Sequence, residues 1–386
     1  MAIKVSTRTD IAPFFVMEVM RAAARREAQG GDVVHLEVGQ PSTPAPAGAR
    51  AAAVRAIEHE VLGYTAAVGL EALRERLSRH YDEWYGATVD PGRIVLAQGA
   101  SGAFTLAFLS CFDVGDRVVV PSPGYPCYRN TLAALGVEVV DLPVDHSTRY
   151  QPSPDHLAAL HADRPIDGLV VASPSNPTGT MLLPEELSGL VAWCSTNGVR
   201  LISDEIYHGI TFGVAAPTAV SLWNDAVVVN SFSKYFSMTG WRLGWLVLPP
   251  ELVAPVERLA QNATVAPPTI SQHAALGAFD SIAELEANVD RYRTNRAILL
   301  DGLPEVGIDR LAPADGAFYI YADVSHLTDD SQALCQEWLD RLGIATTPGI
   351  DFDPQRGHRF VRFSFAGTPA EMTTTIDRLR AWSTDR

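Results

Sequence analysis

The chain has 386 residues, a hydrophobic fraction of 47% and a formal net charge of -15, which allows a large core and favours two packed domains over one. That acidic balance excludes a nucleic-acid-binding surface, which needs clustered lysine and arginine. No apolar run is long enough to cross a bilayer and the first residues lack the apolar core of a secretory leader, so neither a membrane partner nor export is expected.

A helix is expected over residues 14–29, followed by a proline-rich loop at 41–46 that crosses between domains. From 94 to 248, β-branched runs at 94–97, 117–120, 137–142, 169–172, 200–203, 227–230 and 245–248 alternate with helical stretches. Alternation of this kind implies an α/β architecture, a mostly parallel sheet covered by helices on both faces. Ligands of such sheets sit beyond the carboxyl ends of the strands, so the chemistry should cluster there.

After the first run come Gly99, Ala100 and Ser101, opening a helix whose free N–H groups and dipole make an anion site. The same turn lacks GxGxxG, which counts against a dinucleotide. After the second run, Tyr125 in PSPGYPCY either stacks on a ring or serves a structural turn. Asn176 in PSNPTG lies in a turn whose composition turn-forming alone would explain. Asp204 in LISDEIYHG ends an apolar strand, where a carboxylate needs a cation or hydrogen-bond donors. It is either the partner of a protonated pyridine nitrogen or the N-cap of a following helix, on which Tyr207 would share its face. Asn176 and Tyr207 both carry groups suited to a phenolic oxygen.

In SFSKYFSMTGWR, Lys234 can form a Schiff base with a carbonyl compound, while Ser231, Ser233 and Arg242 suit a phosphate. A lysine among serines is by itself an ordinary solvated loop. With Asp204 upstream it describes a pocket for pyridoxal 5'-phosphate (PLP).

Beyond 281 the pattern changes to a long charged helix at 283–300 and then short strands and helices, a smaller α+β domain. Alternation in HRFVRFSFA puts Val361, Phe363 and Phe365 on one face and Arg362 on the other, toward the cleft between domains; a surface strand arginine would give the same pattern. The expected division is 1–40 as an N-terminal arm and part of the small domain, 41–280 as a large cofactor-binding domain, and 281–386 as the C-terminal small domain. Cys111, Cys127, Cys194 and Cys335 form no CxxC pair, which argues against a zinc site or disulfide framework and makes cytoplasm the default location.

With these residues in order, the chain resembles the PLP-dependent aminotransferases of class I and II, fold type I, over nearly its whole length. The segments that carry the likeness are GQPSTPAP, YTAAVGLEALRERL, PSPGYPCY, PSNPTG, SDEIY, SFSKYFSMTGWRLGW and FVRFSFA. The resemblance implies a large domain on a seven-stranded sheet sandwiched by helices, plus a smaller α+β domain. It makes Lys234 the Schiff-base lysine and proton carrier, pairs Asp204 with the ring nitrogen, sets Asn176 and Tyr207 at the ring hydroxyl and lays Tyr125 over the ring. It gathers Ser231, Ser233 and Arg242 with Ala100 and Ser101 around the phosphate, and sends Tyr64 to the phosphate of a neighbouring subunit in a homodimer with shared sites. Arg362, helped by Asn176 and the Gly39 backbone, would clamp the substrate α-carboxylate.

The implied reaction moves an amino group from an L-amino acid to a 2-oxo acid in two ping-pong halves. Many aspartate-using members carry a lysine after the paired small residues of the phosphate turn, where this chain has Ser101. That points to a neutral or hydrophobic donor, with 2-oxoglutarate or pyruvate as acceptor. The same residues would serve a carbon–sulfur β-lyase. A non-catalytic PLP-binding regulatory module would need a basic helix-turn-helix, and no stretch before Gly39 is long or basic enough.

Overall fold

The structure, a computed structural model, describes residues 3–384. After helix α1 (Phe15–Ala28) the chain forms a short strand β1 (Val34–His35), then α2 (Ala47–His59) and α3 (Glu71–Tyr85). It then enters the alternation read from the sequence: β2 (Ile94–Ala97), α4 (Gly99–Cys111), β3 (Arg117–Ser122), α5 (Pro126–Leu135), β4 (Glu138–Pro143), β5 (Gly168–Ala172), β6 (Arg200–Asp204), β7 (Val227–Ser231) and β8 (Gly244–Val247).

These strands make a seven-stranded sheet in the order β2-β8-β7-β6-β5-β3-β4, parallel except that β8 runs antiparallel to both neighbours. Every residue of β2, β7 and β8 is buried, as a sheet covered on both faces requires. Successive side chains feed opposite cores: Leu169, Leu201 and Val228 pack on one face with Trp245, while Val170, Ile202 and Val229 pack on the other against Phe104 and Phe108. Each such fully buried aliphatic side chain is worth about 1.5–3 kcal/mol of transfer free energy.

Helix Ile282–Glu305, longer than the expected 283–300, leads to an antiparallel sheet built from β9 (Arg310–Leu311), β10 (Tyr319–Asp323), β12 (Thr347–Pro348) and β13 (Phe360–Ser364), in the order β12-β13-β10-β9. The remaining strand, β11 (Ile344–Ala345), pairs in parallel with β1 and so ties the N-terminal segment to this second sheet.

The helix proposed to start at Asp204 is not there. The Asp204 carboxylate accepts the N–H of Ile206 at 3.0 Å, residues 206–209 form turns, and Gly209 at φ +87 redirects the chain. A side chain bonded two residues on competes with helix formation, and here it wins. Among the described residues no helix is long and apolar enough to cross a membrane.

Candidate functional site

The carboxyl ends of β5, β6 and β7, the start of α4, the first turn of α1, and β10 with β13 enclose a cleft of about 410 Å³. Lys234 reaches it from the turn after β7, donating a hydrogen bond to the Gly39 carbonyl and standing 5.6 Å from the centre of the Tyr207 ring. Burial, reinforced by the positive charge of Arg362, pushes its amine down to about 8. A useful neutral fraction therefore exists near neutral pH.

Asp204 is 4% exposed, and burial pushes its carboxyl up to about 6. Its hydrogen-bond partners are neutral donors, the Tyr128 hydroxyl and the Ile206 N–H at 3.0 Å. A buried carboxylate in that state gains from a cation placed against it.

Gly99 starts α4 in the left-handed region, φ +71, and a Cβ there would come within 2.4 Å of Arg242 Nη2. The preceding Gln98 makes no side-chain cap and the first turn has no acidic residue, so its N–H groups remain available to an anion. Arg242, whose Nη1 donates to the Thr239 carbonyl at 2.9 Å, and Ser233 line the cleft beside that turn. Ser231 lies behind: its hydroxyl accepts the Ser233 N–H at 3.1 Å and lies 2.8 Å from the Ser233 hydroxyl.

Arg362 is 4% exposed. Its Nη1 donates to Asn176 Oδ1 at 2.8 Å and its Nη2 to Thr347 Oγ1 at 3.1 Å and to the Glu37 carbonyl. The guanidinium lies 4.5 Å from the Tyr319 ring centre and 4.7 Å from that of Phe352, while its Nε has no partner. An unsatisfied buried donor costs about 1–3 kcal/mol, which a bound carboxylate would relieve. Tyr207 is buried, with its hydroxyl 2.6 Å from that of Tyr319.

Of the residues anticipated from sequence, all but Gly99, Ser231 and Tyr64 line this one cleft. Gly99 and Ser231 stand just behind its surface. Tyr64 is 87% exposed and lies outside it.

The residues fit PLP: a buried carboxylate held only by neutral donors for the ring nitrogen, a depressed lysine for the aldehyde, an open helix N-terminus with Arg242 for the phosphate, and an orphaned guanidinium N–H for a carboxylate substrate.

Sequence reading missed Tyr128, Tyr319, Phe14 and the α1 side chains Val16, Met17 and Met20 that also border the cleft, and Thr347, which stands behind Arg362 and accepts a hydrogen bond from its Nη2. Only Tyr128 carried a local signal, three residues after Tyr125 in the same motif and so one helical turn along.

Comparison with known proteins places the geometry in context. Residues 31–379 match the family described as aminotransferase class I and II. The chain is 51% identical over 384 residues, 98% of both chains, to a valine–pyruvate aminotransferase of Mycobacterium tuberculosis. It resembles a solved aminotransferase from Mycobacterium tuberculosis with TM-score 0.97, 50% identity and full coverage of both chains. It also resembles the aspartate aminotransferase of Thermus thermophilus solved with maleate, with TM-score 0.92 and 28% identity over 98% of this chain and 100% of that one.

Proposed function

The chain belongs to the class I and II aminotransferases, PLP-dependent enzymes that pass an amino group to a 2-oxo acid, and from that premise we propose that its donor is an L-amino acid with a neutral, apolar side chain and its acceptor pyruvate. The observation that carries the donor class is the wall that α1 and its approach add to the cleft, where Phe14, Val16, Met17 and Met20 bring apolar side chains and no charge. A second carboxylate would lose hydration against such a wall. Ser101 in the phosphate turn and the valine–pyruvate relative support the same reading.

When bound, PLP supplies a sink for the electron pair left at the substrate α-carbon. Lys234 would hold it covalently, Asp204 would face its ring nitrogen, Asn176 and Tyr207 its ring hydroxyl, and Tyr125 a ring face. Ser101 and Ser233, the Ala100 amide and Arg242 would take the phosphate, with Gly99 opening the turn and Ser231 bracing Ser233.

Arg362 would grip the donor carboxylate through a fork that Asn176, Thr347 and the Glu37 carbonyl already orient, which fixes the α-carbon's hydrogen as the group to leave. Lys234, freed from that attachment, would take the proton from the α-carbon. Its depressed pKa leaves the amine partly neutral at working pH, and the Gly39 carbonyl gives it a resting partner. Positioned proton transfer of this kind contributes about 10² to 10⁴ in rate.

We further assign a homodimer with shared sites. Tyr64 and Val61, 87% and 97% exposed, follow α2, on which Val54 and Ile57 are also exposed, and a second copy would cover these apolar side chains and receive Tyr64 at its phosphate. The four free cysteines support a cytoplasmic location. The division into 1–40, 41–280 and 281–386 is supported by the pairing of β1 with β11.

The test is a screen of twenty L-amino acids against pyruvate and 2-oxoglutarate with the PLP-loaded protein. Valine and similar donors should react fastest. Reaction with aspartate alone overturns the donor class, and release of pyruvate and ammonia from a cysteine conjugate without an acceptor would assign a β-lyase instead.

A further inference from the structure

We propose that Asp351 is a positioning residue that sets how well the cleft accepts large apolar donor side chains, by pinning the first turn of α1. The assignment rests on the donor reading above. Helix α1 begins without a local cap: Phe14 occupies the N-cap position and offers no side-chain acceptor. Its first free N–H groups are taken from afar, Phe15 N–H donating to Asp351 Oδ1 at 3.0 Å and Val16 N–H to Oδ2 at 3.3 Å, across 336 residues of sequence for the first of them. Asp351 is 4% exposed, so this carboxylate is buried against the positive end of the helix.

The turn that presents Asp351 is itself held. Arg129 on α5 donates to the Asp351 carbonyl at 2.6 Å and to the Phe352 carbonyl at 3.0 Å, and the Gly124 N–H donates to the Phe352 carbonyl at 3.1 Å. The Phe352 ring lies against the guanidinium of Arg362. One short segment therefore connects three parts of the cleft: the turn carrying Tyr125, the arginine fork, and the apolar wall.

The wall depends on the pinned turn. Val16, Met17 and Met20 all border the cleft, Met20 falling four residues after Val16 and three after Met17, one helical turn along, and the Phe14 ring sits 6.0 Å from that of Tyr125. A helix end that loses its cap frays first at exactly those positions that here meet the donor side chain. Alanine has little apolar area to lose when that wall moves; leucine or valine has far more.

The experiment compares wild type, Asp351→Asn and Asp351→Ala as PLP-loaded enzymes, reading kcat and KM for leucine, valine and alanine together with amide hydrogen exchange over residues 14–20. Asp351→Ala should speed exchange at Phe15 and Val16 and lower the leucine-to-alanine ratio of kcat/KM about 3- to 30-fold, the size expected for loss of a cap, mainly through KM. Asp351→Asn keeps an acceptor oxygen and should fall between. Met17→Ala, which trims the wall at a half-exposed position and leaves the pin alone, should shift the same ratio without faster exchange at Phe15. It serves with Asp351→Asn if the alanine variant does not fold.

Faster exchange with an unchanged donor ratio overturns the assignment, as does equal loss for all three donors or an unchanged exchange pattern. If wild type shows no preference for apolar donors, the donor reading falls and takes this assignment with it; a preference that survives loss of the pin sinks this assignment alone.

Discussion

The cleft is made by two regions of different construction. Its rim, at the ends of β5 to β7 and the start of α4, is polar, and burial there moves proton affinities in opposite directions, down for Lys234 and up for Asp204. Its other side, α1 with the second sheet, carries no charge except Arg362 and is tied down by contacts between distant parts of the chain, such as Phe15 with Asp351 and Arg362 with Asn176. The contrast assigns work: the rim holds groups whose charge must change or be matched during chemistry, and the wall holds groups that orient a substrate and weigh its side chain. Changes in the rim should therefore strike kcat and cofactor attachment, and changes in the wall should strike KM and donor choice.

The largest effect should come from Lys234→Ala, which removes both the attachment and the proton carrier. Turnover should fall by about 10⁴ or more, and borohydride reduction of the loaded protein should leave no label on the peptide holding position 234. A label elsewhere with activity intact would erase the distinction between rim and wall.

Next in size is Arg362→Lys. An ammonium cannot reproduce the fork that meets Asn176 and Thr347, so kcat/KM for amino acids should drop by about 10²-fold or more while the bound cofactor keeps its absorbance. Loss of the cofactor itself would mean that the wall also carries rim functions.

The rim can be probed by pH alone. Capture of PLP by the cofactor-free protein needs the neutral Lys234 amine, so its rate should fall about tenfold per unit as pH drops below about 8 and level off above. The sign for stability follows from the same shift. Since the folded pKa of Lys234 lies below the 10.5 of a free lysine, the unfolded chain holds more protons between about 8 and 10.5, and the cofactor-free fold should gain stability as pH rises through that window. A capture rate flat from pH 6 to 9 would show that Lys234 is not poised by burial.

How much was legible in the sequence divides along the same line. The seven strand runs appear within a few residues of their expected positions because the strands of a covered sheet are written as short β-branched runs, and Asp204 sits at a strand end with Asn176 and Lys234 just beyond theirs, where topology puts ligands. Their roles were local in the chain, one motif each. The wall was not local. Nothing around Phe14 announces that its helix is capped by Asp351, and nothing around Thr347 announces that it meets Arg362; both depend on how β12, β13 and the turn after β12 fold back. The helix expected after Asp204 failed for a third reason, since a side-chain hydrogen bond to Ile206 settled a contest that periodicity alone does not record.

The smallest and most pointed test concerns Tyr128. Its hydroxyl donates to Asp204, and that bond pulls the carboxyl's pKa down against the burial that raises it to about 6. Tyr128→Phe keeps the ring that packs edge-on against Tyr125 and Phe104 but removes the donor, leaving the Ile206 N–H as the remaining hydrogen bond to the carboxylate. The pKa of Asp204 should then rise further, so a larger share of it is protonated, and unable to pair with a cationic ring nitrogen, as pH falls. A hydrogen bond to a charged group is worth about 1.5–3 kcal/mol, so through the ionised fraction of Asp204 PLP should bind about 2- to 15-fold more weakly near neutral pH. The deficit should widen from pH 8 toward pH 6, because the variant begins to protonate at a higher pH than wild type. A deficit of the same size at every pH would mean that Tyr128 only packs, and no deficit would mean that the rim's carboxylate is held ionised without it.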